Sequence, residues 1–211
     1  MFKWWRVFKR DILGDWRLMY NITDIRDKLP VNEIRLKANE KIPKRTKAIE
    51  RIVIHCSDFK DRFDTEDVFK IAKYDVTPSP TNHLSQLGAF TISYHYFIEY
   101  FFNEIVIYKC LDNDIVSWHA KGWNNTSLAI AVNKLGKDVD EELRKRAIWL
   151  AALKCQELRL KPDLVFGHKE LKGTGWDLVN GQRIQIKTCP GNWDMNKFRE
   201  DVYSIMEGGI T

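Results

Sequence analysis

The run RIVIH at residues 51–55 sets the reading of the whole chain. Ile52, Val53 and Ile54 are consecutive β-branched residues, closed on one side by Arg51 and on the other by His55. That pattern predicts a short, fully buried strand. A strand that is apolar on successive residues needs cover on both faces, which points to a sheet packed between helices. SLAIAVN (127–133) and LVFG (164–167) have the same character. ISYHYFIEYFF (92–102) and EIVIYKC (104–110) predict two strands joined tightly around Asn103. Helical patterns lie between these runs. DTEDVFKIAKYD (64–75) places Val68, Ile71 and Ala72 on one face, with Asp64 as candidate N-cap. DEELRKRAIWLAALKCQELRL (140–160) carries an apolar stripe of Leu143, Ala147, Leu150, Ala151 and Leu158, with acids in its first turn and Arg159 near its end. A last helix starts near Asp194, where Trp193 and Phe198 stand at the spacing of a hydrophobic staple. The expected fold class is α/β: a central mixed β-sheet of about five or six strands flanked by helices, in a single domain with an N-terminal extension.

The chain has 211 residues, with 34 Lys and Arg against 29 Asp and Glu, a formal net charge of +5. Apolar residues make up 44% and charged residues 30%, a balance that excludes a disordered chain. No window holds the roughly 20 apolar residues of a spanning helix. The positive excess is local: residues 1–50 contain 13 basic and 7 acidic residues, and residues 51–211 contain 21 and 22. We therefore divide the chain into a basic, Trp-containing extension (1–50) and the domain that carries the chemistry (51–211). Phe2, Trp5, Phe8 and Ile12 stand near helical spacing with Lys and Arg between them, as in a basic amphipathic helix. Residues 1–20 then fold back on the domain, self-associate with a second copy, or lie on a membrane surface. Nucleic acid, suggested by charge alone, is the least favoured partner. Residues 21–50 read as an irregular connection with one short helix or strand. Lys9, Arg10, Asp11 and Asp15 interrupt any signal-peptide apolar region, so the expected place of synthesis is the cytoplasm.

The four cysteines, Cys56, Cys110, Cys155 and Cys189, are 54, 45 and 34 residues apart and form no CxxC pair. Three sit in apolar settings as small buried thiols. Cys189 differs, because Pro190 and Gly191 follow it and Lys187 lies two residues before it, a loop setting in which a basic neighbour favours the thiolate. Two of the five histidines, His55 and His168, end strand-like runs. A polar residue at the end of a buried strand is either a structural hydrogen-bonding group or part of a site. Two imidazoles and one thiolate with an open fourth position have the composition of a catalytic zinc site.

The words IVIHCSD (52–58), SYHYFIE (93–99), WHAKGWNNTSLAIAV (118–132), VFGHKE (165–170) and KTCPG (187–191) occur in this order. Together they resemble the zinc-dependent N-acetylmuramoyl-L-alanine amidases of the type 2 amidase and peptidoglycan recognition protein family, closest to phage amidase-type lysozymes. The resemblance runs from residue 51 to about 205. It implies a hydrolase that uses one zinc ion (Zn2+) to cleave the amide between the lactyl group of N-acetylmuramic acid and L-alanine in bacterial peptidoglycan. It implies His55, His168 and Cys189 as metal ligands, and Tyr94 and Lys187 as catalytic residues around the developing oxyanion. His119 falls on the histidine that lines the substrate groove. Lys121, Trp123 and Asn124 follow in the same word, as candidate contacts to sugar and stem peptide. An endolysin acting on the cell wall after release is the implied setting, with a non-catalytic peptidoglycan-binding protein as the alternative. Two departures stand out. Many relatives carry a Glu where this chain has Ala131, which sets it with relatives that rely on Tyr and Lys and speaks against a glutamate-based mechanism. Residues 169–186 are longer than in compact relatives, forming either a loop over the cleft or a decorative hairpin.

Overall fold

A computed structural model describes residues 17, 19–60, 66–134, 140–172, 176–179, 182–185 and 188–208. The amphipathic pattern of Phe2 to Ile12 and the candidate cap Asp64 lie outside these residues. Six strands form one mixed sheet: β1 (Ile22–Asp24), β2 (Arg51–Lys60), β3 (Tyr96–Phe101), β4 (Glu104–Lys109), β5 (Ser127–Lys134) and β6 (Val165–Gly167), in the order β1-β4-β3-β5-β2-β6. Only β3 and β4 pair antiparallel; every other neighbouring pair is parallel. Four helices accompany the sheet: α1 (Glu33–Lys37), α2 (Asp67–Val76), α3 (Glu141–Leu158) and α4 (Met195–Met206). Within the 169–186 stretch, β7 (Trp176–Val179) and β8 (Gln182–Gln185) pair antiparallel as a separate two-stranded sheet.

Strand alternation divides the core. Ile52, Ile54, Leu128, Ile130, Val132, Ile98 and Val165 face α3 and α4, where Leu143, Ala147, Leu150, Ala151, Phe198 and Val202 meet them. On the opposite face Phe97, Tyr108 and Ala131 pack under Val68, Ile71 and Ala72 of α2. Ile52, Val53 and Ile54 are all fully buried, the two-sided burial that the unbroken apolar run requires. Among the described helices, none is long and apolar enough to cross a membrane.

Several element ends differ from the sequence expectation, each for a local reason. β2 does not stop at His55 but continues to Lys60, its pairing with β5 shifting register between Cys56 and Lys60. A hydrogen bond between the Ser57 hydroxyl and Asn133 Oδ1 ties the extension to β5, and Asn133 Nδ2 donates on to Asp67 Oδ2 at 3.0 Å. β3 begins at Tyr96 and not at Ile92, because the preceding backbone is engaged elsewhere: the Ser93 N–H and hydroxyl both donate to buried Asp75, at 2.8 and 2.7 Å. α2 begins at Asp67, and its first N–H groups are capped from another strand. Fully buried Glu99 of β3 accepts from Asp67 N at 2.9 Å and Val68 N at 3.3 Å, a carboxylate at the positive end of the helix. The β3–β4 hairpin turns through Phe102 and Asn103, both with positive φ (48° and 64°), the pattern of a two-residue turn whose twist matches the strands.

Residues before 51 contribute the edge of the sheet, since β1 pairs in parallel with β4. Arg45 enters the interior and donates to the carbonyls of Asn113, Asn124, Ile115 and Ser127 at 2.8–3.2 Å. Beside it His95 is fully buried. Its Nδ1 accepts from Ala129 N at 3.1 Å, which puts the proton on Nε2, 3.0 Å from the Ile115 carbonyl. His95 is thus an interior residue, and His83, stacked on Tyr74, is exposed.

At the C-terminal helix the capping signals act as read. Asp194 accepts from Asn196 N and Lys197 N, and the Trp193 and Phe198 rings stack 5.5 Å apart. Replacing Asp194 with Ala should lower the unfolding free energy by about 1 kcal/mol. The check is a shift of the urea midpoint at unchanged slope; an unmoved midpoint would leave the helix start to the ring stack alone.

Candidate metal centre

Three chain segments converge where β6 ends. β6 pairs with β2 only through Gly167, opposite Ile54, whereas β2 continues. The next residue on each strand is a histidine, His55 and His168, with ring centroids 4.6 Å apart. The third segment is the loop after β8. Its Cys189 Sγ accepts from the Cys56 backbone N–H at 2.9 Å, filling the place a longer β6 would have taken. The candidate ligand atoms of His55, His168 and Cys189 all lie within 4.8 Å of one another. His55 is 2% exposed, His168 7%, and Cys189 is half-buried. The sulfur also lies 3.7 Å from the Cys56 carbonyl, so both backbone polar groups of Cys56 meet it.

The word around His168 builds this corner. His168–Glu170 form a 3₁₀ turn, and Glu170 reaches back to the Gly167 N–H at 2.7 Å. Arg199 of α4 grips the same carboxylate with both terminal nitrogens at 3.0 Å. The Lys169 N–H donates to the Cys189 carbonyl at 2.8 Å, and its ammonium to the Gly191 and Trp193 carbonyls at 2.8 and 2.9 Å. Lys169 therefore clamps the Cys189 loop, a role its position next to His168 in the sequence does not reveal. Gly167 is required by space: a Cβ there would stand 2.8 Å from Pro190 Cδ and 3.1 Å from Met195 Cγ.

On the other side of His55 stands His119. His55 Nε2 and His119 Nδ1 are 3.0 Å apart, and His119 Nε2 is 3.0 Å from the Ser127 hydroxyl. His119 is 8% exposed. Both of its ring nitrogens are thus engaged within the protein, although its word in the sequence suggests a groove-lining residue. Burial pushes its pKa well down, helped by the nearby His95, His168 and Arg45. The loop that carries it is held by Asn124, whose Oδ1 accepts from His119 N and Ala120 N at 3.1 and 2.7 Å. The side-chain oxygen of Asn124 is therefore used in shaping the loop. Trp123 donates its indole N–H to the Lys172 carbonyl at 3.0 Å and lies under Arg51, 4.2 Å from ring centroid to guanidinium. Lys121 is exposed. The Tyr94 ring lies 5.4 Å from that of His55. Ala131, fully buried, sits directly opposite His55 in the β2–β5 ladder. Lys187 lies outside the described residues. Cys56 is half-buried, whereas Cys110 and Cys155 are buried as their apolar settings suggested.

The sequence reading missed Ser127, Lys169, Glu170 and the Cys56 N–H. Ser127 alone carried a visible signal, as a hydroxyl opening an otherwise apolar strand. The other contacts depend on which loops meet at the strand end.

Two predictions follow from this geometry. Gly167→Ala should displace the loop at Pro190 and loosen Cys189. Its thiol should then react faster with a maleimide in metal-free protein, and unchanged reactivity would show that the loop seats without this close approach. The second concerns pH. Burial lowers the pKa of His95 to about 3 and that of His119 well below its ordinary 6.5. The folded state then binds fewer protons than the unfolded chain below about pH 6.5, so this stability is full above 6.5 and declines as pH falls. Asp75, raised to about 6 by burial, acts in the opposite sense between its ordinary 3.8 and 6, and two histidines outweigh it. The urea midpoint of chelator-treated protein should be lower at pH 5 than at pH 7. An equal or higher midpoint at pH 5 would contradict two neutral buried rings.

Comparison with known proteins bears on the whole arrangement. A family model described as N-acetylmuramoyl-L-alanine amidase matches residues 45–192, from the half-buried Arg45 to the loop beyond Cys189. Solved structures share the fold at low identity. An endolysin N-acetylmuramoyl-L-alanine amidase, LysCS, from Clostridium intestinale URNW is 17% identical with a TM-score of 0.57, covering 87% of this chain and 95% of that one. A mutant endolysin from Bacillus subtilis is 19% identical at 0.55, covering 86% and 98%. Bumblebee PGRP-SA is 16% identical at 0.57, covering 85% and 93%. No curated protein sequence matches. With the family model spanning most of its length, the chain belongs to the N-acetylmuramoyl-L-alanine amidase family.

Proposed function

We propose that this amidase is a zinc-dependent peptidoglycan hydrolase, with His55, His168 and Cys189 holding one zinc ion. The observation that carries the reading is the convergence of these three donors within 4.8 Å at the end of β6. Two imidazole nitrogens and a thiolate suit zinc, and three protein donors are the number found in catalytic centres. A zinc ion bound there supplies Lewis acidity and lowers the pKa of water.

The chain's own groups fit hydrolysis of the amide between the lactyl group of N-acetylmuramic acid and L-alanine. The phenol of Tyr94, beside His55, is the donor we assign to the oxyanion that develops on the scissile carbonyl. Lys187, two residues before Cys189, is the cation we assign to the same charge. Ala131 can neither take nor give a proton, so proton transfer to the departing amine is left to Tyr94, Lys187 or a bound water. Exposed Lys121 and the Trp123 ring are our candidates for contacts to the stem peptide and sugar. The endolysin setting rests on likeness in fold to the Clostridium intestinale and Bacillus subtilis proteins.

Digestion of purified peptidoglycan tests the reading. New L-alanine amino termini without new reducing ends are expected; reducing ends instead would identify a glycosidase. Purified protein should carry about one equivalent of zinc, and Cys189→Ser and His168→Ala should lose both metal and activity. Full activity in both variants would sink the zinc assignment. Lys187→Ala should keep the metal and lose about 10²-fold in turnover, the size typical of one missing oxyanion donor.

A further inference from the structure

The hydrogen bonds on the β5 side of His55 have a fixed direction. The Ser127 hydroxyl has one proton, and it goes to the Trp123 carbonyl, 2.7 Å away, because a carbonyl can only accept. The Ser127 oxygen is therefore the acceptor towards His119, and the proton between them sits on His119 Nε2, 3.0 Å away. A neutral imidazole with its proton on Nε2 presents a lone pair at Nδ1. That lone pair faces His55 Nε2 at 3.0 Å, so His55 Nε2 carries the proton of this contact. The ring of His55 is thereby held with Nε2 towards His119 and Nδ1 as its basic nitrogen.

We propose that His119 and Ser127 are positioning residues, a two-step relay from the Trp123 carbonyl that selects the His55 tautomer and makes Nδ1 the ligand atom. The inference rests on the metal-centre reading above and deepens it. It assigns His119 to the rear of a ligand and not to the substrate groove. Three features support it independently of any metal. His119 is nearly buried, at 8% exposure, and Ser127 is completely so. The His119 ring stands at 86° to that of His55 and meets it nitrogen to nitrogen at 3.0 Å. The backbone that presents His119 is pinned by Asn124 through two N–H groups. Groups that orient a ligating imidazole through its second nitrogen typically contribute 10–100-fold to metal affinity.

Zinc affinity, measured by competition with a chromogenic chelator, separates the outcomes. Wild-type protein should bind zinc and His55→Ala should not. His119→Ala and Ser127→Ala should bind about 10–100-fold more weakly. Ser127→Thr keeps the hydroxyl, and His119→Gln keeps one acceptor and one donor, so both should stay near wild type. A wild-type protein without zinc affinity would end the metal reading and this inference with it. Zinc binding by wild type with unchanged affinity in His119→Ala and Ser127→Ala would overturn the relay alone. Histidine-labelled nitrogen NMR of the unsubstituted, metal-free protein tests the relay even where a variant does not fold. Proton on Nε2 in both His55 and His119 is expected, and proton on Nδ1 of either ring would overturn it.

Discussion

β2 is longer than one of its neighbours, and the candidate site follows from that inequality. Past Ile54 the ladder to β6 has ended, yet β2 stays paired to β5, so one edge of the strand faces a gap inside the protein. A buried backbone N–H without a partner is costly, on the order of 1–3 kcal/mol. The Cys56 N–H avoids that cost by donating to Cys189 Sγ. The same gap receives His168, the first residue released from β6. The proposed metal site and the ordinary need to satisfy a strand edge thus make the same demand here. A loop must return to this point, and it must bring an acceptor. Gly167, Lys169, Glu170 and Arg199 then serve as the means of fastening that loop and that turn.

The β5 side of β2 is built on the opposite principle. Here the ladder is intact, and space is made by small side chains. Ser127, Ala129 and Ala131 alternate along the site face of β5, with Ala131 in register with His55. Larger residues would fill the volume that His119 and Tyr94 occupy around the His55 ring. With alanine at position 131, the polar neighbours along this side of the His55 ring are His119, Ser127 and a backbone carbonyl.

The fold was legible because its strands are short, apolar on both faces and punctuated by charge or proline, and because the helix between 141 and 158 has an unbroken stripe. The pairing of His55 with His168 was legible in the same way, since each closes such a run. Strand ends were not legible. The start of β3 depends on Asp75 taking the Ser93 N–H, and the start of α2 on Glu99 from a strand more than thirty residues away. Neither bond leaves a local pattern. His119 shows the limit of a word-level resemblance: the word locates the residue near the centre, and only the hydrogen bonds say which way its nitrogens face.

The charge of the first fifty residues changes meaning once its partners are known. As a tally the segment is strongly basic and invites an acidic partner. Among the described residues of the segment, several of these charges have partners within the chain. Arg26 bonds to Asp24 and Asp112, and Lys44 to Asp114. Arg35 lies between the Phe90 and Trp118 rings with Glu40 at its tip. Arg45 donates to four carbonyls, and its Nη2 also stands 3.1 Å from His95 Nε2. Burial lowers its pKa, against the opposing pull of the Asp114 carboxylate. Two of those carbonyls belong to Asn124 and Ser127, the ends of the turn that leads from the His119 loop into β5. A cation that formal counting assigns to an appended segment is therefore part of the support beneath the site. The match of the family model from residue 45 onward begins at this side chain.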